Sequence, residues 1–251
     1  MDAIDRFLAF TAQPNPRCIM TIPKETSYEE MVRKYLAGDA GIVQTMKYVL
    51  PKDGSSTAEE ELARWKQYAK DERAALRDEV PMAFSLGPPP AEDDLAALTE
   101  VLDGASPALV EFYRRHEGGG FFMHGPDGDD GLFFLPIEAM PTEQEDLLVW
   151  YEGDDEPFEE DIDGDRLEIL GLPDWYDDAI VFGMVGCAAE RFLLPTTGAH
   201  RGSIFLFDHD PQGMLRLAKS FEDFLDWLIA DPVRAAELTG LHGIKRYQTG
   251  A

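Results

Sequence analysis

The chain is expected to fold as an α+β protein, with a mostly antiparallel or mixed sheet packed against helices and a helical extension at its N-terminus. Three observations carry that expectation. Helical patterns come first, strand patterns dominate from Phe121 to Lys219, and a helix follows at Ser220, an order that fits segregated α and β elements. Between Ala179 and Lys219, short apolar β-branched runs alternate with turn residues at hairpin spacing. Gly87-Pro88-Pro89-Pro90 interrupts the chain beside an abrupt change of charge, so residues 1–86 are read as the extension and 91–251 as the α+β domain.

In the extension, residues 28–37 and 42–50 read as short helices. A longer, charge-laced helix spans 57–78, with Leu62, Trp65, Ala69 and Leu76 along one face. Its start is marked by Ser56 or Thr57, followed by Glu59 and Glu60 where the helix dipole favours negative charge. Two roles fit this arm: an elaboration packed on the domain, or a separate recognition or dimerisation module. After the prolines, residues 93–102 form a helix on Leu95, Leu98 and Leu102. Ser106 and Pro107 open the next, where Leu109, Phe112, Tyr113 and His116 share a face until Gly118, Gly119 and Gly120 end it. Residues 121–123 and 132–137 read as strands separated by a turn-rich stretch. A strand over 179–183 is stopped by Gly183. Strands over 191–194 and 203–207 flank a turn at 196–202 to make a hairpin, and a polar turn at 208–213 leads to an alternating segment at 214–219. Ser220 is the expected N-cap of the closing helix, with Asp223 reciprocating in a capping box. Phe221, Phe224, Leu225, Leu228 and Ile229 then fall at helical spacing, so that face must pack on the sheet.

The formal net charge is -27 and it is unevenly spread. Residues 1–90 hold 12 Lys/Arg against 14 Asp/Glu, whereas the remainder holds 10 against 35. Within residues 127–178, 20 acidic side chains face a single basic one, Arg166. Such a surface repels nucleic-acid phosphates and anionic lipid and steers basic proteins toward itself. Neither nucleic acid nor membrane is therefore an expected direct partner. Two cysteines, Cys18 and Cys187, do not make a disulfide framework, and reduced thiols are the simpler reading. The N-terminus lacks the basic start and apolar core of a signal peptide, and no apolar run approaches the ~20 residues of a membrane span, so a cytoplasmic protein is expected.

The motifs of catalysis are missing. His116-Glu117 begins like a zinc-protease helix, but Gly120 stands where the second histidine belongs. Asp208-His209-Asp210 reads as a turn, and no nucleophile elbow, Walker loop or dinucleotide fingerprint occurs. Glu159, Asp161, Asp163 and Gly164 copy the first half of a calcium loop. Arg166 and Leu170 spoil the second half, which leaves a solvated acidic loop. With 49 acidic residues some carboxylate pair is always close, so proximity identifies no acid and base. No enzymatic activity, cofactor or metal is expected.

Five segments in order carry a resemblance. They are Ser106 to Gly120 (a helix running into a glycine-rich turn), Ile180-Val-Phe-Gly, Phe192-Leu-Leu, Gly202-Ser-Ile-Phe-Leu-Phe-Asp-His-Asp, and Ser220-Phe-Glu-Asp-Phe-Leu. Their succession resembles the SUKH superfamily of bacterial immunity proteins and fungal cell-wall-synthesis regulators, over roughly residues 91–240. Glu117-Gly118 replaces the common Asn-Gly, and Pro195 stands where an acidic residue is frequent. The resemblance implies a non-catalytic immunity protein that binds a cognate toxin domain and blocks it. The alternative it implies is an intracellular regulatory interaction module with no toxin partner. The charge adds that the toxin is expected to be basic, as a nuclease with a cationic substrate surface would be. The expected partner surface is the acidic segment Asp154, Asp155, Glu156, Glu159, Glu160, Asp161, Asp163 and Asp165. Trp150 and Tyr151, with Phe158, Trp175 and Tyr176, either anchor the partner or hold the segment on the core. Oligomeric state and the identity of the toxin are not written in the sequence.

Overall fold

The structure is a computed structural model that describes residues 1–50, 56–125, 127–151, 159–163, 166–170, 173, 175–186, 188–209 and 212–250. In chain order the elements begin with α1 (Ala3–Thr11), β1 (Arg17–Met20), α2 (Ser27–Leu36), α3 (Ala40–Val49), α4 (Ala58–Ala75), β2 (Glu79–Pro81) and β3 (Ala83–Leu86). They continue with α5 (Glu92–Leu102), α6 (Pro107–Arg115), β4 (Gly119–His124), β5 (Asp130–Phe134), α7 (Met140–Tyr151), β6 (Glu159–Asp163) and β7 (Arg166–Leu170). The last are β8 (Ala179–Val185), β9 (Arg191–Pro195), β10 (Ile204–His209), β11 (Gln212–Ala218), α8 (Phe221–Ala230), α9 (Pro232–Glu237) and β12 (Ile244–Gln248). The fold class is α+β, as expected. Two compact units are present: Met1–Cys18 together with Val80–Ala251, and Ile19–Glu79.

The larger unit is built on a nine-stranded sheet in the order β3-β4-β5-β8-β9-β10-β11-β7-β6. All of its ladders are antiparallel. The hairpins read from turn chemistry are there: β9 pairs β10, and β10 pairs β11 through Phe207↔Met214. Phenylalanine supplies most of the largest fully buried side chains. Phe121, Phe134, Phe182 and Phe192 from four strands meet Phe112 of α6 and Phe221 and Phe224 of α8, each no more than 2% exposed. Neighbouring ring centroids lie 4.7–6.5 Å apart, many tilted or edge-on, as the aromatic quadrupole favours. Burying each such ring contributes about 1.5–3 kcal/mol. Ser220 Oγ accepts the Asp223 N–H at 3.1 Å, but Asp223 does not reciprocate, so the expected capping box is half formed.

Helix α1 joins this core, which corrects the expected boundary. Phe7 is fully buried against Phe121 (5.0 Å), Phe112 and Phe134. Phe10, one turn on, packs on Phe84, Phe122 and Tyr247 in a second cluster. Arg6 grips Asp226 of α8 at 2.5 and 2.7 Å, and Arg115 of α6 reaches Asp5 at 2.8 Å. The prolines do not separate domains either. Their fixed φ prolongs the extended backbone of β3, and this stretch docks on the glycine turn: Gly87 N–H donates to Gly118 C=O (3.2 Å) and Glu117 N–H to Pro88 C=O (2.6 Å). The approach is so close that a Cβ on Gly87 would sit 2.4 Å from the Glu117 carbonyl oxygen.

Other expectations shift at their edges. Gly183 does not stop its strand; β8 runs on to Val185, and the missing Cβ admits the Phe133 carbonyl beside a register shift. Strand β5 ends at Phe134, and Pro136 turns the chain into a 3-10 turn at Ile137–Ala139. Asp208 and His209 belong to β10, with Asp210 outside the described residues.

The smaller unit is helical. Thr57 and Glu60 form a full capping box at the start of α4, as Thr26 and Glu29 do for α2. Glu72 of α4 accepts the Ser27 and Tyr28 N–H groups (3.2 and 3.0 Å), placing a carboxylate at the positive end of α2. Trp65 is buried against Tyr35, and Met46 of α3 is 2% exposed.

Candidate functional site

Three segments of the larger unit, far apart in sequence, converge on a cavity of about 350 Å3. Helix α5 presents Asp94, Ala97, Leu98 and Val101, whose spacing of three and four residues puts them on one stripe. The 3-10 turn and the first turns of α7 contribute Ile137, Glu138, Met140, Pro141 and Gln144. Strand β8 closes the floor with Ala179, Ile180 and Val181.

The wall positions are fixed by hydrogen bonds. Gln144 Oε1 accepts the Val181 N–H at 3.2 Å, and its amide nitrogen donates to the Tyr176 carbonyl at 3.5 Å, so a side chain extends the β8 ladder and pins α7. Beneath, the buried Tyr113 hydroxyl donates to the Leu135 carbonyl at 2.7 Å, holding the end of β5, and burial pushes that phenol's pKa well up. On α7, Glu143 pairs with Arg191 at 2.8 Å where both side chains are largely shielded.

The floor is apolar and the rim is acidic. Leu98, Ile137, Met140 and Val181 are buried, whereas Val101 is 60% exposed at the mouth. Asp94 and Glu138 stand at the rim, and among the described residues they form no salt bridge and the lining includes no cation. Exposed Glu145 and Asp146 continue the negative surface along α7. Among the described residues no Ser, Cys, His or Lys lines the cavity, and no three His, Cys, Asp or Glu side chains converge as metal ligands. The arrangement suits an apolar side chain flanked by a cation, as a hot-spot residue beside Lys or Arg on a protein partner would be.

The acidic segment named from sequence is only partly described. Asp154, Asp155, Glu156 and Asp165 lie outside the described residues, as does Phe158. Trp150 and Tyr151 end α7. Glu159, Glu160, Asp161 and Asp163 occupy β6, the edge of the sheet, paired with β7 through Asp161↔Glu168 and Asp163↔Arg166. This strand replaces the loop that the acidic run suggested. Trp175 and Tyr176 are 8% and 1% exposed, with Trp175 against Phe205 at 4.8 Å, so they hold the core rather than offering anchors. His116 Nδ1 lies 3.1 Å from the Gly87 carbonyl, a packing role at the helix end.

The cavity residues escaped sequence reasoning because no local motif unites three segments. One signal was present: Val101 is an apolar residue off the Leu95-Leu98-Leu102 stripe. No helix among the described residues is long and apolar enough to cross a membrane. A search of curated proteins finds no match. Residues 89–227, from the end of the prolines through most of α8, match the sequence profile of the SMI1 / KNR4 family (SUKH-1). That match covers more than half of the chain and contains every segment that forms the cavity, and by it the protein belongs to the SMI1 / KNR4 family, SUKH-1.

Proposed function

We propose that this protein is an immunity protein that neutralises a bacterial toxin by binding its toxic domain, with the cavity and the acidic segment as the contact surface. The family match carries the reading, since the family comprises general immunity or SMI1/KNR4-type binding modules and is generally non-catalytic. The electrostatics supply its chemistry. A body with 35 acidic side chains against 10 basic ones repels itself, and a cationic partner relieves that repulsion while being drawn in quickly. Nuclease toxins fit best, because the surface that holds phosphate is the surface such an acidic protein would cover. In this reading Asp94 and Glu138 meet Lys or Arg of the toxin while an apolar neighbour enters between α5 and α7. The acidic run that follows α7 in sequence, Asp154, Asp155, Glu156, Glu159, Glu160, Asp161, Asp163 and Asp165, supplies further carboxylates to the toxin contact.

The test is growth rescue. Bacteria expressing the toxic domain encoded beside this gene should survive when the wild-type chain is co-expressed, and the two proteins should co-purify. Val101→Arg, which puts a cation and bulk at the cavity mouth on a largely exposed position, should fold normally yet rescue poorly. Absence of rescue by the wild type sinks the toxin reading and leaves a regulatory module. Full rescue by Val101→Arg removes the cavity from the contact.

A further inference from the structure

We infer that the groove between α2 and α4 of the helical unit is a second docking site, one that takes an acidic amphipathic helix from a partner protein. The groove has a volume of about 760 Å3 and is lined by one face of each helix. Its apolar floor is Val32 and Leu36 of α2 with Ala69 of α4. Tyr28 and Tyr35 of α2 pack on Tyr68 and Trp65 of α4, but Val32 is only part-buried and Leu36 is 64% exposed, so this part of the apolar side is left without a cover.

The rim identifies the occupant. Arg33, Lys66, Lys70 and Arg73 surround the floor, against one carboxylate among the described lining residues, Glu29. Glu29 is already engaged: Arg73 Nε donates to it at 3.1 Å and the Thr26 N–H at 2.7 Å, and these bonds hold its pKa below the usual glutamate value. Arg33 is paired with Glu25 at 2.9 Å on an exposed surface. Lys66 and Lys70 are exposed and form no salt bridge among the described residues. They sit four residues apart on one face of α4, and Arg73 follows three residues later. A cationic rim within a stretch of near-neutral composition calls for an anionic occupant, and an apolar floor excludes one that is charged all round.

The shape specifies a helix. Two packed helices offering i, i+3, i+4, i+7 faces leave the seat of a third, and an amphipathic helix laid there buries Val32, Leu36 and Ala69 under its apolar stripe. Carboxylates flanking that stripe then meet Lys66 and Lys70. The lining of α4 from Lys66 to Arg73 spans about two helical turns, so a short partner segment suffices. The capping of α2 by Glu72 and the Arg73 bonds to the Pro23 and Lys24 carbonyls (2.8 and 2.9 Å) fix both walls before any partner arrives.

The experiment titrates the full chain into a fluorescein-labelled synthetic peptide with leucine at i, i+3, i+4 and i+7 and glutamate elsewhere. A peptide with lysine in place of every glutamate is the control. Saturable anisotropy is expected for the acidic peptide, weakened about tenfold or more by Lys66→Glu with Lys70→Glu and by raised salt, whereas any binding of the lysine peptide, which the acidic body attracts, should not be weakened by that double variant. Leu36→Asp should weaken it similarly. All three positions are exposed, and unchanged thermal unfolding will show that the variants fold. Absence of saturable binding, equal binding by the double variant, or tighter binding of an oligonucleotide at the same residues overturns the inference. So does concentration-dependent self-association that Lys66→Glu with Lys70→Glu abolishes, since the occupant is then a second copy.

Discussion

Phe224 sits in the phenylalanine core, fully buried and within 6.3 Å, centroid to centroid, of Phe134, Phe182, Phe192 and Trp227. Phe224→Ala should cost about 3–5 kcal/mol in denaturant unfolding, because so many fixed neighbours cannot collapse into the space. A loss below about 1 kcal/mol would mean that the site relaxes or is not packed. This residue was legible in the sequence, since its helical spacing with Phe221, Leu225 and Leu228 already demanded a buried face. Gly87 was not. It reads as linker material, and only the fold reveals the Glu117 carbonyl 2.4 Å from its absent Cβ. Gly87→Ala should destabilise by about 1–3 kcal/mol, the range of overpacking, and a neutral result would restore the linker reading. Cys18 is fully buried, and desolvation pushes its thiol pKa up to about 11. In a Cys187→Ser background, a thiol reagent at pH 8 should therefore label Cys18 only as fast as the protein opens; immediate labelling of the folded chain would contradict that burial.

At the scale of elements, α1 shows why long-range packing defeats local reading. Asp2 caps it and Ile4, Phe7 and Phe10 give it an apolar side, yet no helix is among those expected here from the sequence, and its destination in the core depends on residues more than a hundred positions away. Deleting residues 1–12, or beginning the chain at Ala91, uncovers Phe112, Phe121 and Phe134. Such fragments should lose near-UV circular dichroism and cooperative unfolding, and a fragment from Ala91 that unfolds cooperatively would show that α1 and β3 are dispensable. The junction of α2 and α4 responds to acid. Glu29 is held below its ordinary value of 4.5 chiefly by Arg73, and Glu72, against the upward push of desolvation, by hydrogen bonds from the Tyr28 and Ser27 N–H groups together with the Thr26 and Ser27 side chains. A depressed folded-state pKa means stability that is fully present above 4.5 and lost as the pH falls through the lower folded values. Amide protection in α2 should therefore fall on acidification below that point. Glu72→Gln should flatten the loss, and a pH-independent protection pattern would exclude the carboxylate clamp.

Over the whole molecule, charge separates two surfaces that sequence could only count. The larger unit carries nearly all of the negative excess, whereas the helical unit presents a cationic groove within a near-neutral composition. Hairpins and periodic helices were legible because turn chemistry and apolar spacing are local properties. The cavity was not, because α5, α7 and β8 meet only after folding, and the abundance of carboxylates hid Asp94 and Glu138 among 47 others. The central claim is that the acidic body captures a basic toxin domain by electrostatic steering, and the association rate measured by stopped flow across ionic strength tests it most directly. The wild-type rate should fall steeply as salt rises, and Asp154→Asn, Asp155→Asn, Glu159→Gln and Glu160→Gln combined should slow it at low salt and flatten the slope without loss of fold. A quadruple variant that associates at the wild-type rate in low salt would contradict the account.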